Sequence, residues 1–231
     1  MILKFNEFIN EKINIHKQLN EISQDDDLSA YYWNAGSVND KDFDEVFKIE
    51  EISDSTLNRM IGNSYPEDCE ISISDLRYLI IPHYDGKGAI RIGELVCNKE
   101  VSDEFIYLFK ELFKNKYPIE RMVLVDEFDG DDKKSMAANN TSAFNYRVIS
   151  NTDKLSRHAY GMAIDINPLY NPYVKGEYVS PETGKQFVDR NKPFKYKIDS
   201  NDLTYQILHD KFGFTWGGDW EKCKDYQHYE K

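Results

Sequence analysis

Residues 101–116, VSDEFIYLFKELFKNK, place large apolar side chains at helical spacing with charged side chains between them. The apolar positions are Val101, Phe105, Leu108, Phe109, Leu112 and Phe113. A stripe of this width on one side of a helix has to be covered by another layer of structure, because it is unfavourable in water. Pro118 then ends the pattern. The segment therefore predicts an amphipathic helix that covers one face of a sheet.

Candidate strands flank this helix. Residues 78–81 form a short β-prone run that Pro82 should stop, residues 89–96 form a second, and residues 121–125 read as a buried strand. The acidic loop that follows residue 125 does not fit a calcium-binding loop, because its glycine comes one place too early, and we interpret it as a solvated turn. A domain of mixed strands and helices is expected to begin near residue 76.

The N-terminal part of the chain has a different pattern of apolar and charged residues. Residues 1–24 carry isoleucines and a phenylalanine at roughly helical spacing, and an aspartate run at residues 25–27 interrupts them. Further short helices are expected between residues 40 and 60, with Ser53 and Ser55 as candidate caps. We therefore divide the 231 residues into a small helical N-terminal region, 1–56, and a main domain, 57–231.

Charge and cysteine content exclude several classes of function. Forty-one acidic and 29 basic residues give a net charge of −12, and no lysine–arginine block is present, so no nucleic-acid partner is expected. No apolar run approaches the roughly 20 residues of a membrane span. No secretion signal is recognisable. Cys69, Cys97 and Cys223 lie far apart without a C-x-x-C pair, which argues against a thiolate zinc site and leaves one Cys69–Cys97 bridge open.

The stretch SRHAYGMAIDINP, residues 156–168, contains candidate functional residues. Large side chains alternate with Gly161, Ala163 and Asp165, as in a strand with one face in the core and one bare face. His158 lies just upstream, and His228 in the C-terminal DYQHYE is a third candidate ligand. Two histidines and a carboxylate can hold a catalytic zinc ion. Spacing alone slightly favours the simpler interpretation of a hydrogen-bonded histidine and a capping aspartate.

The motif S-x-H-x-x-G-x-A-x-D, present as Ser156 to Asp165, resembles the signature of the zinc D-Ala-D-Ala metallopeptidases. That family includes L-alanyl-D-glutamate endopeptidases and the vancomycin-resistance dipeptidases. The segments NNTSAFNYR at 139–147, DINPLYNPYV at 165–174 and WGGDWEKCKDYQH at 216–228 are similar to the family as well. The resemblance covers roughly residues 57–231. It implies an α+β fold in which a mainly antiparallel sheet carries the zinc site and helices pack on its other face.

The resemblance also implies roles for individual residues. His158, Asp165 and His228 would bind Zn²⁺, and Asp225 in D-x-x-H would be the catalytic base. Arg147 would stabilise the oxyanion, and Ser156 would bind substrate. In one regular strand over residues 225–230 Asp225 would point away from His228, so we expect a bend there, with Glu230 as the fallback base. Cys223 is a rival ligand, although a partly buried small residue is the simpler interpretation.

Other residues near these motifs have two interpretations each. Trp216 and Trp220, around a glycine pair, either shape a peptide cleft or complete the core. The asparagines of the first similar segment either bind substrate amides or form turns; they are Asn139, Asn140 and Asn145.

The function expected from these residues is that of a zinc metallopeptidase. Its partner would be a peptidoglycan stem peptide or muropeptide, cut as by a D-Ala-D-Ala carboxypeptidase or an L-alanyl-D-glutamate endopeptidase, and its location the cell envelope or the exterior. The D-x-x-H form slightly favours the endopeptidase. Two alternatives are a zinc-holding peptide or cell-wall binding module without catalysis, which could dispense with Asp225 and Arg147, and an interaction protein without zinc.

Overall fold

The computed structural model of the chain describes residues 46–150 and 152–231. In this part, nine strands form three three-stranded sheets, in which all strand pairs are antiparallel. The strands are β1 (Lys48–Glu51), β2 (Leu76–Tyr84), β3 (Ile90–Asn98), β4 (Ala163–Asp165), β5 (Tyr173–Lys175), β6 (Tyr178–Ser180), β7 (Thr215–Trp216), β8 (Lys224–Asp225) and β9 (His228–Glu230). The sheet orders are β1–β2–β3, β4–β9–β7 and β6–β5–β8.

Helices complete the described part of the chain. The α-helices are α1 (Asp54–Met60), α2 (Ser102–Lys114), α3 (Asp132–Ala137) and α4 (Leu203–Tyr205), and α4 continues as a π-helix over Gln206–Lys211. The 3₁₀ helices are Ile73–Asp75, Val125–Phe128, Arg157–Tyr160, Glu182–Phe187 and Gly217–Asp219. The predicted α+β class is thus confirmed, but three small sheets replace one larger sheet. No helix in the described ranges is long and apolar enough to cross a membrane.

Helix α2 forms where the apolar stripe predicts it. Val101, just before the helix, and the stripe residues within it are at most 7% exposed. They share one core cluster with Leu79 of β2, Ile164 of β4 and Tyr229 of β9. The same cluster therefore joins the first sheet to the apolar face of the β4–β9–β7 sheet, and this leaves the opposite face of that sheet for the polar residues.

Strand β2 passes through Pro82 instead of ending before it. Strand β1 pairs with β2 only between residues 77 and 80, where Lys48 lies opposite Ile80, whereas β3 pairs with β2 along its whole length. A proline lacks the N–H that a second neighbour would need. In the described structure Pro82 has a strand on one side only, so the missing donor is tolerated and the predicted stop is wrong.

Residues 121–125 do not form the predicted strand. The side chain of Asn140 takes the place of a partner strand: its Oδ1 accepts from the backbone N–H of Val123 at 2.9 Å, and its Nδ2 donates to the Val123 carbonyl at 3.0 Å. A buried backbone must find hydrogen-bond partners, and a single amide side chain supplies both here. Residues 122–124 consequently belong to no strand, and Val125 begins a 3₁₀ helix.

Residues 48–60 also differ in part from the predicted short helices. Residues 48–51 form β1 instead of a helix, because their backbone completes the first sheet. Ser53 does cap a helix, since its Oγ accepts from the N–H of Thr56 at 3.1 Å. The boundary predicted between residues 56 and 57 falls inside α1 and stays a prediction. The helix predicted over residues 1–24 and the linker after it lie outside the described residues.

The acidic loop is more structured than a solvated turn. Asp126 accepts hydrogen bonds from the N–H and the hydroxyl of Ser64, at 2.9 and 3.0 Å. Asp131 is the N-cap of α3 and accepts from two backbone N–H groups of its first turn. Carboxylates at such positions satisfy donors that a helix end or a turn would leave open. These aspartates therefore hold the loop in place.

The cysteines are free thiols. Cys97 of β3 lies in the main core cluster, whereas Cys69 packs against a second cluster around Met60 and Phe144. Their side chains consequently lie on different sides of the first sheet. The Cys69–Cys97 bridge that the sequence leaves open is not formed.

Replacing His83 should remove part of the acid sensitivity of the fold. His83 is buried, its Nδ1 donates to the Ile119 carbonyl at 2.8 Å, and burial lowers its pKa to about 4. Because this pKa lies below that of the unfolded chain, about 6.5, the contribution of neutral His83 is complete above pH 6.5 and is lost as pH falls toward 4. We expect this loss to lower the free energy of unfolding by on the order of 2 kcal/mol at pH 4.5.

The measurement is chemical denaturation of metal-free wild type and His83→Gln at pH 7 and pH 4.5. The variant should lose less stability between these two pH values than the wild type. An equal loss in both proteins would contradict a neutral buried His83.

Candidate metal centre

Three neighbouring elements bring the three candidate ligands together. His158 lies on the 3₁₀ helix Arg157–Tyr160, and Asp165 ends β4 directly opposite His228, the first residue of β9. Gly161 connects the 3₁₀ helix to β4 with a φ of +68°, and a Cβ there would lie 2.5 Å from the backbone nitrogen of Asn98. Glycine is required on both counts. The chain thus returns from His158 to Asp165 within a single tight turn.

The strand register places the polar residues on one face. Ala163 lies opposite Glu230 and Ile164 opposite Tyr229. Because side chains alternate along a strand, Asp165 and His228 share a face with Ala163 and Glu230, while Ile164 and Tyr229 point into the core. The predicted alternation of a core face with a bare face is what the structure has.

Three ligand atoms converge on this face. His158 Nε2 lies 3.2 Å from Asp165 Oδ1 and 3.1 Å from His228 Nδ1, and His228 Nδ1 lies 3.0 Å from Asp165 Oδ1. All three residues are at most 6% exposed. They form the one group of His, Cys, Asp or Glu residues in the described structure that could hold a metal ion, and Cys223 does not belong to it.

The outer nitrogen of each ring fixes which atom points inward. His158 Nδ1 donates to the Ala143 carbonyl at 2.5 Å, and His228 Nε2 donates to Glu230 Oε2 at 3.0 Å. In a neutral ring only one nitrogen carries a hydrogen, so His158 Nε2 and His228 Nδ1 present lone pairs to the cluster. Two imidazole lone pairs and a carboxylate oxygen repel one another unless a cation or a proton lies between them.

The spacing of these atoms fits zinc. Bonds of about 2.0 Å in a tetrahedral arrangement place neighbouring ligand atoms about 3.3 Å apart, close to the 3.0–3.2 Å found here. Two imidazole nitrogens with one carboxylate oxygen are a borderline donor set, which disfavours calcium and magnesium. Three protein ligands also match the number that catalytic zinc sites use.

The cluster is strongly polarised without a metal. Burial opposes the charged form of Asp165, yet the charges and hydrogen bonds of His158 and His228 hold the pKa of this carboxyl well below its usual range. Burial likewise opposes protonation of His228, but the hydrogen bonds and charges of its carboxylate neighbours raise its pKa to about 10. A proton therefore occupies the cluster at neutral pH, and a metal ion would displace it.

Asp225 lies just before the turn that precedes the third candidate ligand, His228. Strand β8 ends at Asp225 and pairs with β5, a turn follows, and β9 begins at His228. The bend that the sequence requires is confirmed. Burial raises the pKa of Asp225 to about 6; the charge of His228 acts against this shift and that of Asp165 adds to it. A carboxyl with this pKa can accept a proton near neutral pH.

Gly217 lets the chain approach Asp225 closely. A Cβ on Gly217 would lie 2.5 Å from the Asp225 carbonyl oxygen and 2.7 Å from its Cβ. Trp216 is 5% exposed and its Nε1 donates to the Tyr226 carbonyl at 3.0 Å, so it belongs to the core. Trp220 is partly exposed, with its ring 5.4 Å from that of His228. The two tryptophans thus take different positions, one in the core and one beside a candidate ligand.

Glu230, considered above as a fallback base, is hydrogen-bonded to the candidate ligand His228. Its carboxylate accepts from His228 Nε2, and this hydrogen bond lowers its pKa. Carboxylates in this position orient a metal-binding histidine and increase its basicity. The contact places Glu230 behind His228, and the choice between Asp225 and Glu230 as the base stays a prediction.

Ser156 lies beside His158, and its backbone is hydrogen-bonded to that of Arg147. Ser156 caps the 3₁₀ helix, with its Oγ accepting from the N–H of His158 at 3.3 Å, and its own N–H donates to the Arg147 carbonyl at 3.0 Å. The Arg147 guanidinium lies 2.9 Å from Asp132 Oδ2, and its buried Nε has no hydrogen-bond partner. The substrate role of Ser156 and the oxyanion role of Arg147 stay predictions.

The asparagines have structural partners. Asn139 Nδ2 donates to Glu120, and Asn140 pairs with Val123 as described above. Asn145 Nδ2 donates to the Gly130 carbonyl, and its backbone N–H donates to the carbonyl of His158 at 3.1 Å. All three are at most 6% exposed. These contacts favour structural roles, and Asn145 supports the turn that carries a ligand.

The comparisons agree with the motif. Residues 150–231 match a family model described as D-alanyl-D-alanine carboxypeptidase. This confirms the resemblance over residues 150–231 and supports a peptide hydrolase at the level of the family. The extension of the resemblance to residues 57–149 stays a prediction. The matched range contains His158, Asp165, Asp225 and His228, whereas Arg147 lies before it. No curated protein and no solved structure matches the chain.

Removing one of the converging nitrogens should abolish metal binding. We expect wild type to keep about one zinc ion per chain through extensive dialysis and His158→Ala to lose it, because two remaining ligands form no catalytic-type site. His209→Ala is the matched control, since His209 lies outside the cluster. Metal content by elemental analysis checks this, and a zinc-replete His158→Ala would contradict the assignment.

Replacing Glu230 should weaken metal binding without ending it. Glu230→Ala removes the acceptor behind His228 Nε2, and loss of such a contact typically costs 10- to 100-fold in metal affinity. Competition with a fluorescent zinc chelator measures the affinity. At saturating zinc any hydrolysis should remain, whereas its complete loss there would return Glu230 to the position of base.

Proposed function

We propose that the protein is a zinc-dependent peptidase, of the family whose model residues 150–231 match, that hydrolyses peptidoglycan stem peptides. The observation that carries the proposal is the convergence of His158 Nε2, Asp165 Oδ1 and His228 Nδ1 within 3.0–3.2 Å in a buried place. The family match supports the reaction class. The peptidoglycan substrate implies a location in the cell envelope or outside the cell.

The metal that we propose for this site is zinc. Two histidines and one carboxylate also occur as ligands of non-haem Fe(II). The resemblance to zinc metallopeptidases favours zinc over iron. Elemental analysis of the purified protein separates the two. Iron in place of zinc would overturn the zinc assignment but not hydrolysis, because Fe(II) can also act as a Lewis acid.

Hydrolysis requires a base, an acid and a site for negative charge. When bound, zinc supplies a Lewis acid that polarises a carbonyl and lowers the pKa of water. Asp225 takes the proton from the attacking water and later delivers it to the leaving amine, for which a pKa of about 6 is suitable. One carboxyl thus performs both proton transfers.

In this proposal Arg147 provides the site for the negative charge that develops on the substrate oxygen. Its ion pair with Asp132 fixes part of the guanidinium, while its Nε remains a buried donor without a partner. A buried donor without a partner is costly, and in this proposal the substrate oxygen is the partner that completes it. Donation to the developing oxyanion would be worth about 10² to 10³ in rate, by analogy with other oxyanion-stabilising groups.

The bond that is cut defines the enzyme type. Release of the terminal D-alanine from a stem pentapeptide indicates a carboxypeptidase, and cleavage between L-alanine and D-glutamate an endopeptidase. The D-x-x-H form at Asp225 favours the second, and the description of the matched family favours the first. Mass spectrometry of digested muropeptides distinguishes them. A zinc-loaded protein that releases neither product is a binding module.

Asp225→Asn should separate catalysis from metal binding. The substitution keeps the shape of the side chain and removes its capacity to accept a proton, so we expect zinc content to be unchanged and kcat to fall by about 10²- to 10⁴-fold. Asp219→Asn, in the same C-terminal segment but outside the cluster, is the control and should keep full activity. The measurement is muropeptide turnover with and without a chelator.

Full turnover by Asp225→Asn would remove Asp225 from the mechanism. Turnover that is insensitive to the chelator in wild type would remove the metal.

A further inference from the structure

Gln227 is a buried polar residue between two residues of the site that no motif explains. It is 2% exposed and lies in the turn between Asp225 and His228. Its Nε2 donates to Asp225 Oδ1 at 3.1 Å and lies 3.3 Å from the sulfur of Met136. Its Oε1 is buried without a hydrogen-bond partner.

The orientation of this amide follows from its surroundings. A reversed amide would place Oε1 against the carboxylate of Asp225, where two acceptors would face each other. The donor contact therefore determines the orientation, even though it leaves Oε1 unsatisfied. For packing alone, an apolar side chain of similar size would avoid this unsatisfied oxygen. The one good hydrogen bond of the side chain is the one to Asp225.

The backbone around Asp225 is restrained on both sides. The Gln227 carbonyl accepts from the N–H of Ile166 at 3.0 Å, which ties the turn to the end of β4. Gly217 packs directly on the backbone and Cβ of Asp225. Rotation of the Asp225 carboxyl about its last torsion is not restrained by these contacts, and such torsions have broad minima. The Gln227 amide supplies the remaining restraint.

We propose that Gln227 is a positioning residue that holds Asp225 Oδ1 and thereby keeps Oδ2 turned toward the reacting water. The inference rests on the proposed role of Asp225 as the base. It assigns to Gln227 an effect on the chemical step and none on metal binding or substrate affinity. Small misplacements of a catalytic group reduce rates by up to about 10²-fold, which sets the expected size of the effect.

The test uses the zinc-loaded full chain and a muropeptide substrate. Gln227→Met keeps the volume and the contact with Met136 but has no donor. We expect kcat to fall by about 10- to 100-fold, with KM, zinc content and unfolding temperature unchanged. Gln227→Asn, which keeps the amide but is shorter by one methylene, is the second variant and should lose kcat similarly.

A double-mutant cycle separates positioning from a structural role. Gln227→Met added to Asp225→Asn should leave the residual rate unchanged, because Gln227 acts only through Asp225. An equal loss in both backgrounds, a loss of zinc, or wild-type kcat in both Gln227 variants would overturn the inference. Full activity of Asp225→Asn would instead overturn the base assignment in the proposed function, and the inference with it.

Discussion

The convergence of three acceptor atoms in a buried place is the constraint on which the site depends. His158 Nε2, Asp165 Oδ1 and His228 Nδ1 lie 3.0–3.2 Å apart, and each ring is held by its outer nitrogen, one by the Ala143 carbonyl and one by Glu230. Burying lone pairs this close together is unfavourable without a cation. Without a metal, a proton on His228 offsets part of this cost, and the packing around the site holds the three side chains together.

The packing that holds the three side chains lies beneath the site. Strands β4 and β9 place Asp165 opposite His228 on one face and Ile164 opposite Tyr229 on the other. The second pair lies in the core cluster with the stripe of α2. Burial of large apolar side chains gives each about 1.5–3 kcal/mol, enough in sum to oppose the electrostatic cost of the polar face. A helix far from the chemistry thus helps to hold the ligands in place.

Periodicity and motif spacing predicted the parts of the structure that depend on local sequence. The α2 stripe and the alternation around Asp165 follow from residue order. The assignment of His158, Asp165 and His228 as ligands came from the resemblance to a family, and so did the bend, which is needed only if Asp225 is the base. The strand expected at residues 121–125 does not form, because the Asn140 side chain replaces its partner, and such a contact has no sequence pattern. The sequence also could not predict the contact of the Ala143 carbonyl with His158 or that of the Gln227 amide with Asp225. A backbone oxygen carries no residue signature, and a glutamine beside a histidine is ordinary.

The most direct test of the metal centre is an anomalous difference map from a crystal of the zinc-loaded protein, recorded on both sides of the zinc absorption edge. We predict a single strong peak about 2.0–2.2 Å from His158 Nε2, Asp165 Oδ1 and His228 Nδ1. A map without a peak there, or with zinc held by other side chains, would contradict it.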